Sequence, residues 1–195
     1  MTAEVNITIR NNEDWRDAFV LMDLSGQSPA PLDLAGVSLS MHVRSSPTDS
    51  AAQFIASTTN GKLRVIPGAL VDVTGLAGGT GYTSAPTITF SGGGSDPGKV
   101  LPTAYARVAG GAVAEVKIID RGVNLTAVPT IAFTGGGGTG ASATAVIGKV
   151  CTFDVDWAEL THLSGTYYQD LLAEIGDLRR VLWAGSFTVE DGITR

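Results

Sequence analysis

Residues 81–94 read GYTSAPTITFSGGG, and residues 124–137 read NLTAVPTIAFTGGG. The two stretches align without a gap at an offset of 43 positions, so that Pro86 falls on Pro129 and Phe90 falls on Phe133. Each stretch holds a short strand-forming run that ends in three glycines, and glycine clusters of this kind mark turns. Self-similarity at a fixed offset indicates a repeated supersecondary unit. The sequence therefore predicts a duplicated, glycine-rich β module.

A second pair of matched segments follows the two glycine turns. Residues 104–108 read AYARV, and residues 143–147 read ATAVI, at an offset of 39 positions. Strands this rich in alanine and glycine bury little apolar area, and small domains with little buried area are marginally stable. We therefore expect each copy to pack on its duplicate, on the rest of the chain or on other copies of the protein.

Composition separates this module from its flanks. Of the 25 glycines, 18 lie from Gly68 to Gly148, and the four acidic and four basic residues of that stretch cancel, so the net charge of −6 lies in the flanks. The apolar alternation of the flanks stops at Pro67-Gly68 and resumes at Lys149. This predicts a module over residues 68–148, inserted in the turn between two strands of a domain formed by residues 1–67 and 149–195.

The flanks alternate apolar and polar residues, which is typical of half-buried strands. The clearest case is residues 37–44, and Gly176-Asp177 is the two-residue turn of a hairpin over residues 166–189. Asp156, followed three residues later by Glu159, predicts a short capped helix over residues 156–163. Further strands are predicted over residues 5–10, 15–23, 52–58, 62–66 and 149–155, with a short helix capped by Asp14 as the alternative for residues 15–23.

About seven short strands with regularly spaced turns favour an antiparallel sandwich. The predicted fold class is therefore all-β, an Ig-like antiparallel β-sandwich interrupted by an inserted, duplicated glycine-rich β module.

Charge and cysteine usage narrow the function classes. A pI near 4.8 argues against nucleic acid, because a phosphate backbone requires clustered Lys and Arg. The first residues show no basic region followed by an apolar one, and no run approaches the ~18 apolar residues of a membrane span, so we expect a soluble protein and no membrane partner. The single cysteine, Cys151, excludes an internal disulfide.

Two features resemble ligand-binding motifs, but each lacks a required part. Residues 135–142 are glycine-rich, yet Ala141 stands where a phosphate loop needs Lys, and a strand follows rather than a helix. Asp154 and Asp156 share one strand face, which suits either a calcium ion or a solvated sandwich surface.

The residues that most often carry catalysis are isolated in this sequence. His42 occupies a polar strand position, His162 lies in the predicted helix, and neither has a partner at ligand spacing, which favours surface or packing roles. Cys151 lies on an alternating strand and is expected to be a small buried hydrophobe. We therefore predict a protein that is not an enzyme, with no catalytic residue, cofactor or metal.

Both parts of the chain resemble proteins of tailed bacteriophages. Residues 81–94, with the alanine-rich strands that follow and the GGAVAEV of residues 110–116, resemble glycine-rich repeats of phage tail and fibre proteins. PLDLAGV at residues 31–37, with GTYY at 165–168 and GSFTV at 185–189, is similar to the Ig-like docking domain of upper baseplate proteins. The resemblance implies a virion structural protein of the tail, baseplate or neck, made in the host cytoplasm.

This resemblance also implies partners. We expect the sandwich to dock on other phage structural proteins in a symmetric homo-oligomeric assembly, while the module projects. Trp15 and Trp183 are the candidate docking anchors, because aromatic residues dominate interface energetics. The resemblance to baseplate proteins leads us to expect a long fibre region beyond the docking domain, which the residues up to Arg195 do not include, so a capsid decoration protein stays an alternative. A carbohydrate-binding module is another, in which Tyr82 and Tyr105 are exposed contacts for a host-surface glycan.

Overall fold

The computed structural model describes residues 3–23 and 29–192, and over these residues the chain is all-β with one turn of 3-10 helix, η1 (Trp157–Glu159). This confirms the predicted fold class as a sandwich-like all-β protein. The strands in chain order are β1 (Ala3–Glu4), β2 (Ile7–Arg10), β3 (Ala18–Phe19), β4 (Met22–Asp23), β5 (Ala30–Pro31), β6 (Ser38–Arg44), β7 (Phe54–Ser57), β8 (Leu63–Thr80), β9 (Thr87–Gly92), β10 (Thr103–Ala109), β11 (Ala112–Asp120), β12 (Pro129–Thr134), β13 (Thr139–Phe153), β14 (Gly165–Ile175) and β15 (Leu178–Glu190).

Two compact units divide the chain. We call the first the sandwich unit, formed by the described residues of Met1–Phe19, Leu34–Val65 and Cys151–Arg195. We call the second the duplicated unit, formed by those of Val20–Asp33 and Ile66–Val150. The sequence had assigned residues 20–33 to the sandwich, whereas the structure groups the described ones, 20–23 and 29–33, with the duplicated unit.

Strand β8 does not end where the sequence pattern stops. It continues through Pro67 and Gly68 to Thr80, so the strand does not end at Pro67-Gly68 as predicted, although the longer segment of the duplicated unit begins close by at Ile66. Gly68 has a φ of +56°, a conformation that glycine adopts without steric cost, and the strand therefore continues through it. Residues 66 and 149 consequently lie inside β8 and β13 rather than at the two ends of a turn.

The main sheet of the sandwich unit has the order β1-β15-β14-β6-β7, with β2 also pairing with β15. Strands β14 and β15 form the predicted hairpin, with Ile175 opposite Leu178 across Gly176-Asp177. Strand β6 also confirms its prediction, because Leu39, Met41 and Val43 all lie in the core. The alternation of apolar and polar residues along β6 thus predicted correctly which face of the strand is buried.

Two other predicted elements of the flanks differ from the structure. Residues 15–23 form no continuous strand: Trp15 makes an isolated bridge with Val155, β3 pairs with β13, and β4 pairs with β5. The chain passes from one unit to the other between Phe19 and Val20, which interrupts the pairing. The predicted helix over residues 156–163 is shortened to η1.

Aromatic rings fill the core of the sandwich unit. Trp15 stacks on Phe153 of β13, with ring centroids 3.9 Å apart, and meets the edge of Phe187 on β15. Phe19 contacts both Phe153 and Trp183. Such stacked and edge-to-face pairs add about 0.5–1.5 kcal/mol each beyond the area they bury. This cluster joins the main sheet to the residues of β3 and β13 in this unit.

The two sequence copies in the duplicated unit are intertwined. Each copy supplies three strands: β8 beyond Gly68, β9 and β10 in the first, and β11, β12 and the first part of β13 in the second. The middle strands β9 and β12 pair with each other, whereas the third strand of each copy pairs with the first strand of the other, as β10 with β11 and β13 with β8. The copies therefore form a pseudo-two-fold pair.

This arrangement reveals a third matched segment that the sequence reading missed. GALVDV at residues 68–73 and GAVAEV at residues 111–116 also stand 43 positions apart. The backbone N–H of Tyr82 donates to the Gly111 carbonyl at 2.9 Å, and that of Leu125 donates to the Gly68 carbonyl at 2.8 Å. Each of these hydrogen bonds is the counterpart of the other under the exchange of the two copies.

The glycine turns repeat this symmetry. Thr83 and Ser84 donate their backbone N–H groups to the Gly136 carbonyl, just as residues 126 and 127 donate theirs to the carbonyl of Gly93. Asn124, at the position that matches Gly81, has a φ of +58° and is the one non-glycine residue with positive φ in the described part of the chain. Asparagine tolerates this conformation better than other side chains, so the turn survives the substitution.

Candidate interaction surfaces

The two tryptophans predicted as docking anchors lie in the core. Trp15 is 4% exposed and Trp183 is 7% exposed, and both belong to the aromatic cluster described above. A docking anchor has to present its ring to a partner, and neither indole does so. This prediction is therefore corrected: both rings stabilise the sandwich unit through packing.

Tyr82 and Tyr105, the predicted exposed aromatic contacts, have different environments. Tyr82 is only 5% exposed and packs with Ala106 and Val113, so its predicted contact role is corrected to a core role. The sequence alignment of the two copies could have predicted this burial, because Tyr82 aligns with an aliphatic residue, Leu125, which is also buried. Tyr105 is 48% exposed, which leaves its ring accessible as predicted.

The sandwich unit exposes a tryptophan that the sequence reading did not select. Trp157 begins η1 and is 49% exposed. As predicted, Asp156 caps this turn, since its side chain accepts the backbone N–H of Ala158 at 3.0 Å. Asp14 accepts the backbone N–H of Trp157 at 3.0 Å, and this hydrogen bond lowers the pKa of the Asp14 carboxyl. The sequence feature that could have predicted this exposure is the position of Trp157 directly after an N-cap residue, outside the alternating strands.

Ion pairs surround this turn. Arg16 contacts Asp14 at 3.3 Å and also pairs with Asp154, which binds Arg64 at 3.0 Å as well. Glu159 pairs with Lys62 rather than closing a capping box. We call the combined feature the Trp157 surface, which comprises Asp14, Arg16, Lys62, Arg64, Asp154, Asp156, Trp157 and Glu159.

The calcium interpretation of Asp154 and Asp156 is not supported by this geometry. Two guanidinium groups occupy the Asp154 carboxylate, and the Asp156 carboxylate serves as a helix cap. Among the described residues, no group of three or more His, Cys, Asp or Glu side chains is arranged to hold a metal ion.

A second exposed aromatic surface lies on the β10–β11 hairpin of the duplicated unit. Tyr105 stands opposite Lys117, and Arg107 stands opposite Glu115. The Arg107 Nε donates to Glu115 at 2.9 Å, and the Lys117 ammonium lies 4.0 Å from the same carboxylate. We call these four residues the Tyr105 face.

His42 belongs to a polar cluster on the main sheet of the sandwich unit. Arg44 donates to Asp170 at 2.7 Å and to Nδ1 of His42 at 2.7 Å. Because a guanidinium can only donate, Nδ1 must be unprotonated, and the imidazole is neutral. Burial, followed by the charge of Arg44, lowers the pKa of His42 below its ordinary value. This agrees with a packing role. His162, the other histidine, lies 3.4 Å from the carbonyl of Gln53.

Two sequence features with apparent chemistry have structural roles. Cys151 is fully buried, as predicted, and burial raises the pKa of its thiol to about 12. The glycine-rich residues 135–142 form a turn and the start of β13, with no helix N-terminus at which phosphate would bind.

Comparisons with known proteins leave the family open. No protein-family model matches the sequence, and a search of curated proteins finds no significant match. Within residues 3–23 and 29–192, no helix is long and apolar enough to cross a membrane.

Proposed function

We propose that this chain is a non-enzymatic structural component of a tailed-phage particle, at the tail, baseplate or neck, which docks through its sandwich unit and presents the duplicated unit. The exposed Trp157 on a capped turn is the observation that carries the docking role. Tryptophan is enriched among residues that dominate interface energies, and a half-exposed one on a folded β unit is suited to insertion into a partner.

The electrostatics of the Trp157 surface support a protein partner. Three basic and three acidic side chains of this surface form ion pairs that a partner surface of matching charge pattern can reorganise. Charges at the rim of an interface contribute mainly to orientation and association rate, while the central aromatic residue supplies affinity. Repetition around the particle axis is the expected setting, because such assemblies are symmetric.

The environments of the potentially reactive groups favour a structural role over an enzymatic one. The Cys151 thiol is buried with a pKa of about 12, so it is unsuited to nucleophilic attack near neutral pH. The His42 imidazole is held by Arg44 in a polar cluster and has no nucleophile hydrogen-bonded to it in that cluster.

Mass spectrometry of purified virions tests the proposal directly. We expect the protein in the particle, at a stoichiometry that matches a ring or another symmetric assembly. Detection in infected-cell lysate, together with absence from purified particles, would exclude the structural role. If electron microscopy places a tagged copy on the capsid instead, the protein is a decoration protein and the tail assignment is wrong.

A pair of variants tests the docking surface separately. Trp157→Ala should lower incorporation into particles by at least about tenfold, as expected for loss of a central aromatic anchor. Tyr168→Ala is the matched control, since Tyr168 is an aromatic residue of the same unit with a similar exposed fraction. Equal incorporation of both variants would refute the role of Trp157 while leaving the particle role intact.

A further inference from the structure

The duplication supplies an internal reference for the β10–β11 hairpin. Its counterpart in the other half of the duplicated unit is the pair formed by β13 and β8. The inward-facing residues of the two pairs match closely: Ala104 with Ala143, Ala106 with Ala145, Val116 with Val73, and Val113 with Leu70. All of these side chains except Ala143 belong to two small hydrophobic clusters that the duplication relates to each other. Both hairpins therefore obey the same packing constraints.

The outward-facing residues of the two pairs do not match. Tyr105 corresponds to Thr144, Arg107 to Val146, and Lys117 to Thr74, while Glu115 corresponds to the acidic Asp72. The β13–β8 pair forms without an exposed aromatic ring or a basic residue at these positions. Folding therefore does not require them on the Tyr105 face.

The side chains of the Tyr105 face are arranged around the exposed ring. Tyr105 and Arg107 are two residues apart on β10 and point to the same side of the hairpin. Lys117 is directly opposite Tyr105, and Glu115 is its diagonal neighbour. Glu115 pairs with Arg107 at 2.9 Å, so a carboxylate and a guanidinium lie on the same side of the hairpin as the ring.

We infer that the Tyr105 face binds a glycan. A sugar ring presents C–H groups on one side and hydroxyls around its rim, which suits an accessible tyrosine ring with hydrogen-bond donors and acceptors on the same face of the hairpin. Arg107 and Lys117 supply donors only, and Glu115 supplies acceptors, so hydroxyls can be bound in both directions. A nucleic acid fits poorly, because residues 68–148 have no net charge. The inference goes beyond the proposed particle role, and it is tested on the isolated protein.

Binding of the full-length protein to an array of bacterial and eukaryotic surface oligosaccharides is the primary test. We expect at least one oligosaccharide to bind, with saturation-transfer NMR showing contact to the Tyr105 ring. Tyr105→Ala should weaken that binding by about tenfold or more through loss of the stacking surface. Thr144→Ala, at the matching position of the other half, should retain wild-type affinity.

A second variant protects the test against misfolding. Arg107→Val combined with Lys117→Thr places on this face the residues that the other half already carries at matching positions, so we expect it to fold and to lose glycan binding. Absence of binding by the wild-type protein across the array, or unchanged binding by Tyr105→Ala, would overturn the inference. Binding of a peptide through Tyr105 with no glycan bound would also overturn it, since the ligand would then be a protein.

Discussion

Thr89 lies directly opposite Ala132 in the antiparallel pair formed by β9 and β12. These are matching positions of the two sequence copies, 43 residues apart. The pseudo-two-fold axis therefore passes between them, and Ile88 meets Phe133 on one side as Ile131 meets Phe90 on the other. The strands of each copy pair with strands of the other, and this explains how alanine-rich strands with small side chains form a packed unit.

The glycine turns that lock the two copies together provide the first prediction. Ala at position 136 would bring its Cβ to 2.6 Å from the Ser84 carbonyl oxygen, whereas Ala at position 135 meets nothing within 4 Å. Both glycines have positive φ, at +73° and +78°, so the backbone strain is shared. We expect Gly135→Ala to cost about 1–2 kcal/mol and Gly136→Ala about 1–3 kcal/mol more through overpacking.

Hydrogen exchange measures these effects in the correct unit. All three tryptophans belong to the sandwich unit, so their fluorescence does not report on the duplicated one. Amide protection over β9 and β12 should fall much further in Gly136→Ala than in Gly135→Ala. Equal protection in the two variants would contradict the predicted clash.

A buried side-chain amide in the sandwich unit provides the second prediction. The Trp183 indole N–H donates to the Gln169 Oε1 at 2.8 Å, and the Gln169 amide donates to the Val5 carbonyl at 2.6 Å. Gln169→Leu leaves both partners unsatisfied and should destabilise this unit by about 2–4 kcal/mol. Tryptophan fluorescence during urea unfolding measures the loss.

A double-mutant cycle with Trp183→Phe separates the hydrogen bond from packing. The double variant should be more stable than the sum of the single changes predicts, because the indole N–H is then absent. Simple additivity would show that Gln169 acts through its volume alone.

The third prediction concerns pH. His42 has a lowered pKa in the folded state, caused first by burial and then by Arg44; Asp170 and Glu174 oppose this effect, and Arg179 adds to it. The stability that the neutral His42 contributes is therefore fully present above the ordinary imidazole pKa. It is lost as pH falls from that value toward the lower pKa of the folded state. Between about pH 7 and pH 5, His42→Gln should reduce the fall in unfolding free energy.

Urea unfolding followed by tryptophan fluorescence over that range provides the measurement. His162→Gln controls for the loss of an imidazole elsewhere in the same unit. If His42→Gln keeps the full wild-type pH dependence, the lowered pKa does not contribute to it.

The fourth prediction uses the thiol as a reporter. Cys151 is fully buried and its pKa is raised to about 12, so the native protein should react very slowly with Ellman's reagent. Unfolding in urea should restore the rate of a free thiol. Fast reaction of the native state would mean that this part of β13 opens readily.

Local pattern determined much of this fold in advance. The alternation over residues 37–44 predicted which face of β6 is buried, and Gly176-Asp177 predicted the hairpin turn, because strand periodicity and turn conformation depend on neighbouring residues. The repeat over residues 81–94 and 124–137 predicted the duplication. The alignment of Tyr82 with the apolar Leu125 also indicates a buried position for Tyr82.

Tertiary structure alone decided which aromatic residues reach the surface and how the copies pair. The three tryptophans are the same residue type, and their neighbours in sequence do not show which of them is buried. In the structure, phenylalanine rings pack against Trp15 and Trp183, whereas Trp157 stays exposed. Likewise, no local signal predicts that β13 pairs with β8 or that β12 pairs with β9, because these pairings are set by long-range burial. The β10–β11 hairpin differs, since its Gly110-Gly111 turn is a local signal that predicts it. That hairpin places Lys117 opposite Tyr105, whereas which of its side chains reach the surface follows from the packing of its other face on the hydrophobic clusters of the duplicated unit.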